Sequence, residues 1–383
     1  MASLVDIPID YQQSVIEFST SLYQGLNKQE SLCMSPYSIT AAFLLLMVGA
    51  SGRSKQQISS ALFQNSIFSE EEKLRYHKSL NSYIIHQAGV NVSLASANRL
   101  FVNNQFTVLQ NVREKAKQYF GADISLKDFT TPKASALIMN RWVSKQTNGK
   151  IKDLIKEEWI DSNMVMFIIN AIYFKATWEK QFSPKNTRKG KFYLPFKKTI
   201  EVDMMNIRTA VPYFKGRDFS AIALPFRGGN FDMVFILPDE KVGLQNIETK
   251  ITPKFLKTIS SGFKRRFSSI TIPKFKLQSE FDLKVELPKL GVTEIFDELK
   301  ANFTNLIVER TPNLFVKVAV HKAVFNLNEA GVEGAAGTVF GIGSKSGGGL
   351  EFTANRPFLF YVRDVKSGLI LFIGRFHPQV NAG

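Results

Sequence analysis

Four histidines, one cysteine and a glycine-rich stretch are the places where this sequence could carry chemistry. His77, His86, His321 and His377 are scattered, with no HExxH and no pair at ligand spacing, so no metal site is expected. Cys33 is the single cysteine. It rules out an intrachain disulfide or a thiolate cluster. In SLCMSPYSI, beside a hydrophobic run, it reads as a buried structural thiol rather than a nucleophile. The stretch GVEGAAGTVFGIGSKSGGG, Gly331 to Gly349, invites two motif matches and fails both. A phosphate loop needs GxxxxGK[ST], and here Ser344 separates Gly343 from Lys345. A nucleophile elbow needs GxSxG, and neither Ser344 nor Ser346 has the flanking glycines. Gly347-Gly348-Gly349 would also unwind any helix that followed. The loop is not expected to catalyse anything, and the chain is not expected to be an enzyme.

The elements around that loop are legible from spacing. Val15, Phe18 and Leu22 form one stripe of a helix over 10–26. Ser35-Pro36 is an N-cap followed by proline at the first helical position, opening an apolar helix to about Val48. Ser69 and Glu72 make a capping box for a more polar helix to about His86. Helical spacing returns at 111–120 and at 133–151, the latter ending at Asn148-Gly149. MVMFIINAIYFKATW, 164–178, is almost continuously apolar and reads as a strand buried on both faces. IEVDMM, AIALPF, FDMVFILP, SSITIPKFKL, VKVAVHKAVFNLN, FLFYVRD and LILFIGRF follow as further strands. No low-complexity linker or repeat divides the chain, which predicts one large mixed domain over 1–383, helix-heavy first and sheet-heavy later.

Composition adds a charge problem to that picture. The 383 residues carry 33 Phe, enough aromatic mass for an extensive core, and a net charge of +16. Such an excess attracts polyanions: nucleic acid, an anionic membrane or sulfated polysaccharide. The longest apolar run, ITAAFLLLMVGA at 39–50, is too short to span a bilayer, and MASLVDIPID lacks the pattern of a secretory signal.

Several segments together resemble one family, the serpins. NAIYFKATWEKQF (170–182) resembles its strongest internal signature, and NRWVSKQTNGKIKDL (140–154) the helix and turn before it. SPYSI (35–39), ITIPKFKLQSEFDL (270–283), HKAVFNLNEAG (321–331), ANRPFLFYVRD (354–364) and LFIGRFHP (371–378) match in order, so the resemblance covers essentially the whole chain. It implies an α+β fold of three β-sheets and eight or nine helices, acting as a monomer. The fold would carry an exposed reactive-centre loop at about 329–350, the glycine-rich stretch itself.

The family mechanism makes physical demands that this loop can be held against. A target serine protease cuts the loop as substrate and forms an acyl-enzyme; the upstream half then inserts as a new central strand of the main sheet. Alternate side chains must enter a finished core, so they must be small and uncharged. None of Val332, Gly334, Ala336, Thr338, Phe340 and Ile342 is charged or proline, Glu333 lies on the opposite, solvent-facing set, and no proline occurs from Glu329 to Leu350. The resemblance makes Glu329, Gly331, Val332, Glu333, Gly334, Ala335, Ala336, Gly337 and Thr338 the hinge. Val332 stands where Thr or Ser is usual, a β-favouring side chain of similar shape. Gly334 stands where Ala is usual, and with Gly337, Gly341 and Gly343 it adds freedom that costs about 0.5–1 kcal/mol per ordered strand position. Part of the population is therefore expected to be cleaved as plain substrate.

The bait follows from the family's count of seventeen from the hinge glutamate: Lys345, with Ser346 after the scissile bond. Independently, Lys345 is the only Lys or Arg between Lys322 and Arg356, and a trypsin-like pocket holds an Asp for such a side chain. Phe340, a chymotrypsin-type alternative, would leave too short an insert. The resemblance also implies a polar cluster at the sheet's opening point, Ser35, Ser38, Asn170 and His321, with Trp178 and Glu329 where insertion begins.

The charge is concentrated. Lys175 to Lys198 holds eight basic residues against one acid, and Lys250 to Lys276 eight against none. The second segment contains Lys254, Lys257, Lys264, Arg265 and Arg266, read as a helix at about 252–265 with its following turn. In some serpins the equivalent segment binds heparin-like glycosaminoglycan, which would accelerate inhibition; no cofactor is required. A solvated basic face is the alternative reading. No nucleic-acid motif accompanies the charge. The charge favours a secreted protein, with a cytosolic one as the alternative, and a non-inhibitory carrier or chaperone is the competing function.

Overall fold

The computed structural model describes residues 4–26, 30–64, 67–161, 164–309, 314–332 and 350–379. Its α-helices are α1 Ile9–Gly25, α2 Pro36–Gly49, α3 Gly52–Leu62, α4 Glu70–Ala88, α5 Gln110–Phe120, α6 Pro132–Gln146, α7 Leu244–Glu248, α8 Pro253–Gly262 and α9 Leu283–Glu286. The strands are β1 Leu32–Met34, β2 Val92–Asn103, β3 Ile124–Lys127, β4 Met166–Thr177, β5 Arg188–Tyr193, β6 Thr199–Lys215, β7 Phe219–Pro225 and β8 Phe231–Pro238. They continue with β9 Lys264–Pro273, β10 Phe275–Asp282, β11 Val318–Asn328, β12 Gly331–Val332, β13 Leu350–Thr353, β14 Phe358–Asp364 and β15 Ile370–Phe376.

One sheet has six strands in the order β10-β11-β12-β4-β2-β3. The other nine strands form a connected network, β1-β15-β14-β8-β7-β6-β9-β13, with β5 on the side of β6. The 17-residue β6 is the joint of that network. Met204 to Tyr213 pair with β9, while its last residues, Tyr213 to Lys215, pair with β7. The expected second and third sheets are therefore two sections sharing one strand, and nine α-helices stand among the described residues.

Local chemistry explains why the helices near the site begin and end where they do. Ser35 caps α2, its Oγ accepting the Ser38 N–H at 3.3 Å, with Pro36 at the first position. The capping box of Ser69 and Glu72 opens α4. The turn after α6 passes through Asn148 and Gly149, both at positive φ. β4 is buried on both faces from Met166 to Phe174, with Lys175 exposed and Thr177 half-buried at its end, because α6 covers one side and the main core the other. α3 was not anticipated: Ile58, Ala61 and Leu62 give it only a narrow buried stripe on a polar sequence.

Two clusters fill the interior. The larger packs α2 between β2 and β4 of the six-stranded sheet and β15 of the other network, with α1 against α2 and β15. The smaller lies under α6, where Met139 and Val143 meet Phe167, Ile169, Val320 and Val324. β4 and β11 thus contribute to both, with alternate residues on opposite faces.

Candidate functional site

The site is the seam between β11 and β4. From Val318↔Phe167 to Val324↔Tyr173 these strands pair directly and in parallel. Above that ladder the two-residue β12 wedges between them, Val332 facing Leu327 on one side and Ala176 on the other. β12 runs antiparallel to both neighbours, so the chain leaving Val332 points down the seam. Val332 is fully buried in the larger core. Gly331, with φ +145°, lies against β4 so closely that a Cβ would meet the Ala176 carbonyl oxygen and stand 2.8 Å from Thr177 Cα. Only glycine fits that approach.

Midway down the ladder lies a closed polar cluster. His321 and Asn170 are register partners, and the His321 Nδ1–H donates to Asn170 Oδ1. His321 Nε2 accepts the Ser35 backbone N–H at 3.1 Å, which fixes the neutral tautomer. Asn170 Nδ2 donates to the Ser38 carbonyl at 2.8 Å, to Ser38 Oγ at 2.7 Å and to Asn98 Oδ1. Ser35 Oγ donates to the Leu371 carbonyl at 2.6 Å, and Ser38 Oγ bridges to Ser96 and Asn98 on β2. The cluster ties β11, β4, β2 and the start of α2 to one another. Burial pushes the His321 imidazole down to about 3, against a smaller upward pull from the hydrogen bond at Asn170.

Above β12 a second set holds the turn. Trp178 stacks on Phe226 at 4.6 Å and donates its Nε1–H to the Asn328 carbonyl at 3.1 Å. Glu329 accepts from Thr187 Oγ1 at 2.9 Å and pairs with Lys274 at 3.0 Å. Burial alone would raise the Glu329 carboxyl; bonds from the backbone, Lys274 and Thr187 outweigh it and hold it below the ordinary range.

The family model for the serpins, serine protease inhibitors, matches residues 13–378. The chain belongs to the serpin family. It is 32% identical to human antithrombin-III over 94% of its own length and 79% of that protein. It is 32% identical to the horse leukocyte elastase inhibitor over 94% and 97%. Among solved structures, native protease nexin-1 with heparin covers 97% of this chain and 100% of its own, with a TM-score of 0.88 and 25% identity.

Of the residues read from the serpin sequence, Ser35, Ser38, Asn170 and His321 come together in one bonded cluster, and Trp178, Glu329, Gly331 and Val332 lie together at the head of the seam. Glu333, Gly334, Ala335, Ala336, Gly337, Thr338, Phe340, Lys345 and Ser346 lie outside the described residues. Lys254 and Lys257 are exposed on α8. That helix ends at Gly262, so Lys264, Arg265 and Arg266 open strand β9 rather than closing the helix and its turn. Sequence reasoning missed Asn98, Ser96, Lys274 and Thr187. Lys274 was within reach, since it lies in the matched segment ITIPKFKL; Asn98 and Ser96 look like ordinary polar residues of a strand. No helix among the described residues is long and apolar enough to cross a membrane.

Proposed function

We propose that this serpin inhibits trypsin-like serine proteases as a suicide substrate cut at Lys345–Ser346. The protease serine attacks the Lys345 carbonyl carbon, the peptide bond to Ser346 breaks, and the new Ser346 amine leaves with its proton. Lys345 is left esterified to the protease. The segment 333–344 then enters the seam, carrying the ester and protease with it.

The observation that carries this reading is β12, already hydrogen-bonded between β11 and β4 and pointing down their shared ladder. Continued in the same register, the loop meets suitable partners. Glu333 falls opposite exposed Lys175, an opposite-charge pair. Six residues on from Val332, Thr338 falls between His321 and Asn170, where its hydroxyl replaces the bond that the opening seam must break. Gly334, Ala336 and Thr338 share the Val332 face, toward the larger core, so their small size suits burial.

The basic residues of α8 and β9 supply an exposed surface for a heparin-like polysaccharide that speeds inhibition, and the heparin complex of protease nexin-1, a structural relative, supports that part. We read the protein as secreted and monomeric on the strength of its +16 charge and the fold alone. The test is incubation with trypsin. An SDS-stable complex that Lys345→Ala abolishes is expected. Cleavage without complex, or cleavage at Phe340, sinks the reading.

A further inference from the structure

The hairpin between β5 and β6 has a firmly held base and a bare tip. At the base Phe192 is buried edge-to-face on Phe376 at 5.2 Å, Leu194 is buried, and the Tyr193 N–H donates to the Asn355 carbonyl at 2.7 Å. Every residue from Pro195 to Thr199 is exposed. Phe196 is 93% exposed among the described residues, and Tyr193, on the same hairpin, 51%.

A single exposed apolar side chain is ordinary on a protein surface. The backbone sets this one apart. The Lys198 N–H closes the turn on the Pro195 carbonyl at 3.4 Å, and the Leu194 N–H donates to the Lys198 carbonyl at 2.8 Å. The two central residues, Phe196 and Lys197, have φ of +60° and +57°. Asn-Gly is the usual pair at two such positions, because at positive φ a Cβ crowds the neighbouring carbonyl. Phe196 and Lys197 thus hold a strained turn, and the phenyl ring gains no burial from it. Strain of this kind collects where a protein meets a ligand.

The charges of the tip have one sign. Leu194 to Ile200, LPFKKTI, holds Lys197 and Lys198 and no acid. The next acids along β6, Glu201 and Asp203, stand opposite Lys191 and Lys189 in the ladder, with Lys189 and Asp203 3.0 Å apart. Across the adjoining cavity Asp239 is paired with Lys215 at 2.6 Å, Glu240 acts on Arg356, and Lys241 adds an exposed cation. An aromatic apex flanked by lysines suits the boundary of an anionic bilayer. The ring enters the headgroup layer, and the lysine stems lie along it with their ammonium groups on the phosphates. A sulfated polysaccharide would meet the lysines and leave the ring in water.

We infer that the tip of the β5–β6 hairpin is a peripheral anchor for anionic phospholipid surfaces, with Phe196 as the inserting side chain and Lys197 and Lys198 as the headgroup contacts. This role is independent of the bait residue and needs no membrane-spanning helix.

The experiment is co-sedimentation of the full chain with phosphatidylcholine vesicles containing phosphatidylserine, beside vesicles of phosphatidylcholine alone. Tighter binding to the anionic vesicles is expected. Phe196→Asn suits the turn, so it should raise the thermal midpoint while weakening vesicle binding about tenfold. Lys197→Ala with Lys198→Ala should weaken binding by about fivefold per charge, and by more than the triple alanine variant at Lys264, Arg265 and Arg266, which acts through net charge alone. Phe196→Trp should keep the affinity and shift its emission to the blue on the anionic vesicles. Unchanged vesicle affinity in a folded Phe196→Asn variant overturns the inference, as does equal binding to both vesicle types or a Phe196→Trp emission that does not move. If that Phe196→Asn variant instead reacts more slowly with trypsin while vesicle binding is intact, the tip belongs to protease docking.

Discussion

His321 faces Asn170 across the parallel ladder of β11 and β4, and their hydrogen bond joins the two strands that the proposed insertion would have to part. The bond needs a neutral imidazole, since Nε2 must accept from Ser35 while Nδ1 donates. Burial holds the folded pKa down to about 3, below the ordinary value of about 6.5. The unfolded chain therefore binds the proton more readily. Stability is full above about pH 6.5 and falls as pH drops toward 3. His77, buried against Phe120 and lowered to about 4, adds to the same window. Thermal midpoints measured from pH 7 to pH 4 should fall for the native protein and fall less steeply for His321→Gln. An identical slope in that variant refutes the assignment to His321.

Gly331→Ala tests the wedge. Its Cβ would meet backbone atoms of Ala176 and Thr177, which no rotamer change can relieve. The expected result is loss of the docked β12 at a cost of about 1–3 kcal/mol, the scale of local backbone strain. Inhibition stoichiometry against trypsin should rise, because insertion loses its starting contacts. A variant with unchanged midpoint and stoichiometry shows that β12 is not the start of the inserting strand.

These two residues also mark how much of the site could be read from sequence. Gly331 and His321 sit in a contiguous segment, HKAVFNLNEAG, whose pattern carries its own meaning. The long apolar run of β4 and the caps of α2 and α4 were equally local signals, and all three elements stand as read. What stayed hidden was long-range. Asn98 lies 72 residues from Asn170 in the chain, and only the antiparallel register of β2 with β4 sets them opposite. Likewise Lys274 reaches Glu329 only because β9 and β10 meet beside the hinge. The end of α8 was misplaced for a local reason: Phe263-Lys264-Arg265-Arg266 has no breaker after Gly262, and pairing with β6 decides it as strand.

Lys274 and Glu329 hold the turn before β12 at 3.0 Å, with the lysine side chain 44% exposed and the glutamate 10%. Solvent screening at the lysine limits the coupling. A double-mutant cycle of Lys274→Met and Glu329→Gln should return below about 1 kcal/mol, shrinking with salt. The carboxyl is held below its ordinary range, so the contribution is present above the unfolded carboxylate pKa and disappears as pH falls through the lowered one. Coupling of several kcal/mol would mean that the pair is far drier than its exposure indicates.

Thr338→Val separates the closed sheet from the expanded one. Valine keeps the shape and deletes the hydroxyl, so the uncut protein should melt within error of the parent. If cleavage inserts the loop in the register of β12, as proposed, position 338 falls opposite His321 and Asn170, and the variant would leave their polar atoms short of a partner. The cleaved form should lose about 1–3 kcal/mol, the cost of an unsatisfied buried group. Equal melting of both cleaved forms would place Thr338 elsewhere.

The basic surface makes the remaining prediction. Lys254 and Lys257 project from α8, and Lys264, Arg265 and Arg266 from the adjoining start of β9, all exposed. Cross-strand pairing puts Lys264 opposite Tyr213, Arg265 opposite Pro212 and Arg266 opposite Val211, so no acid on β6 neutralises them at those positions. If the surface engages heparin, the logarithm of affinity must fall linearly with the logarithm of salt, because each neutralised anion releases a counterion. Removing a contact should lower that slope by roughly one. The Lys264, Arg265 and Arg266 triple alanine variant should therefore elute from immobilised heparin at lower salt and with a slope smaller by roughly two to three. A merely solvated basic face gives a different result. Its attraction comes from the whole +16 excess, so removing three charges lowers elution only slightly and leaves the slope nearly unchanged. Comparison with alanine at Lys185, Arg188 and Lys191, in the other basic segment, completes the argument: equal losses from both triples exclude a dedicated site on β9.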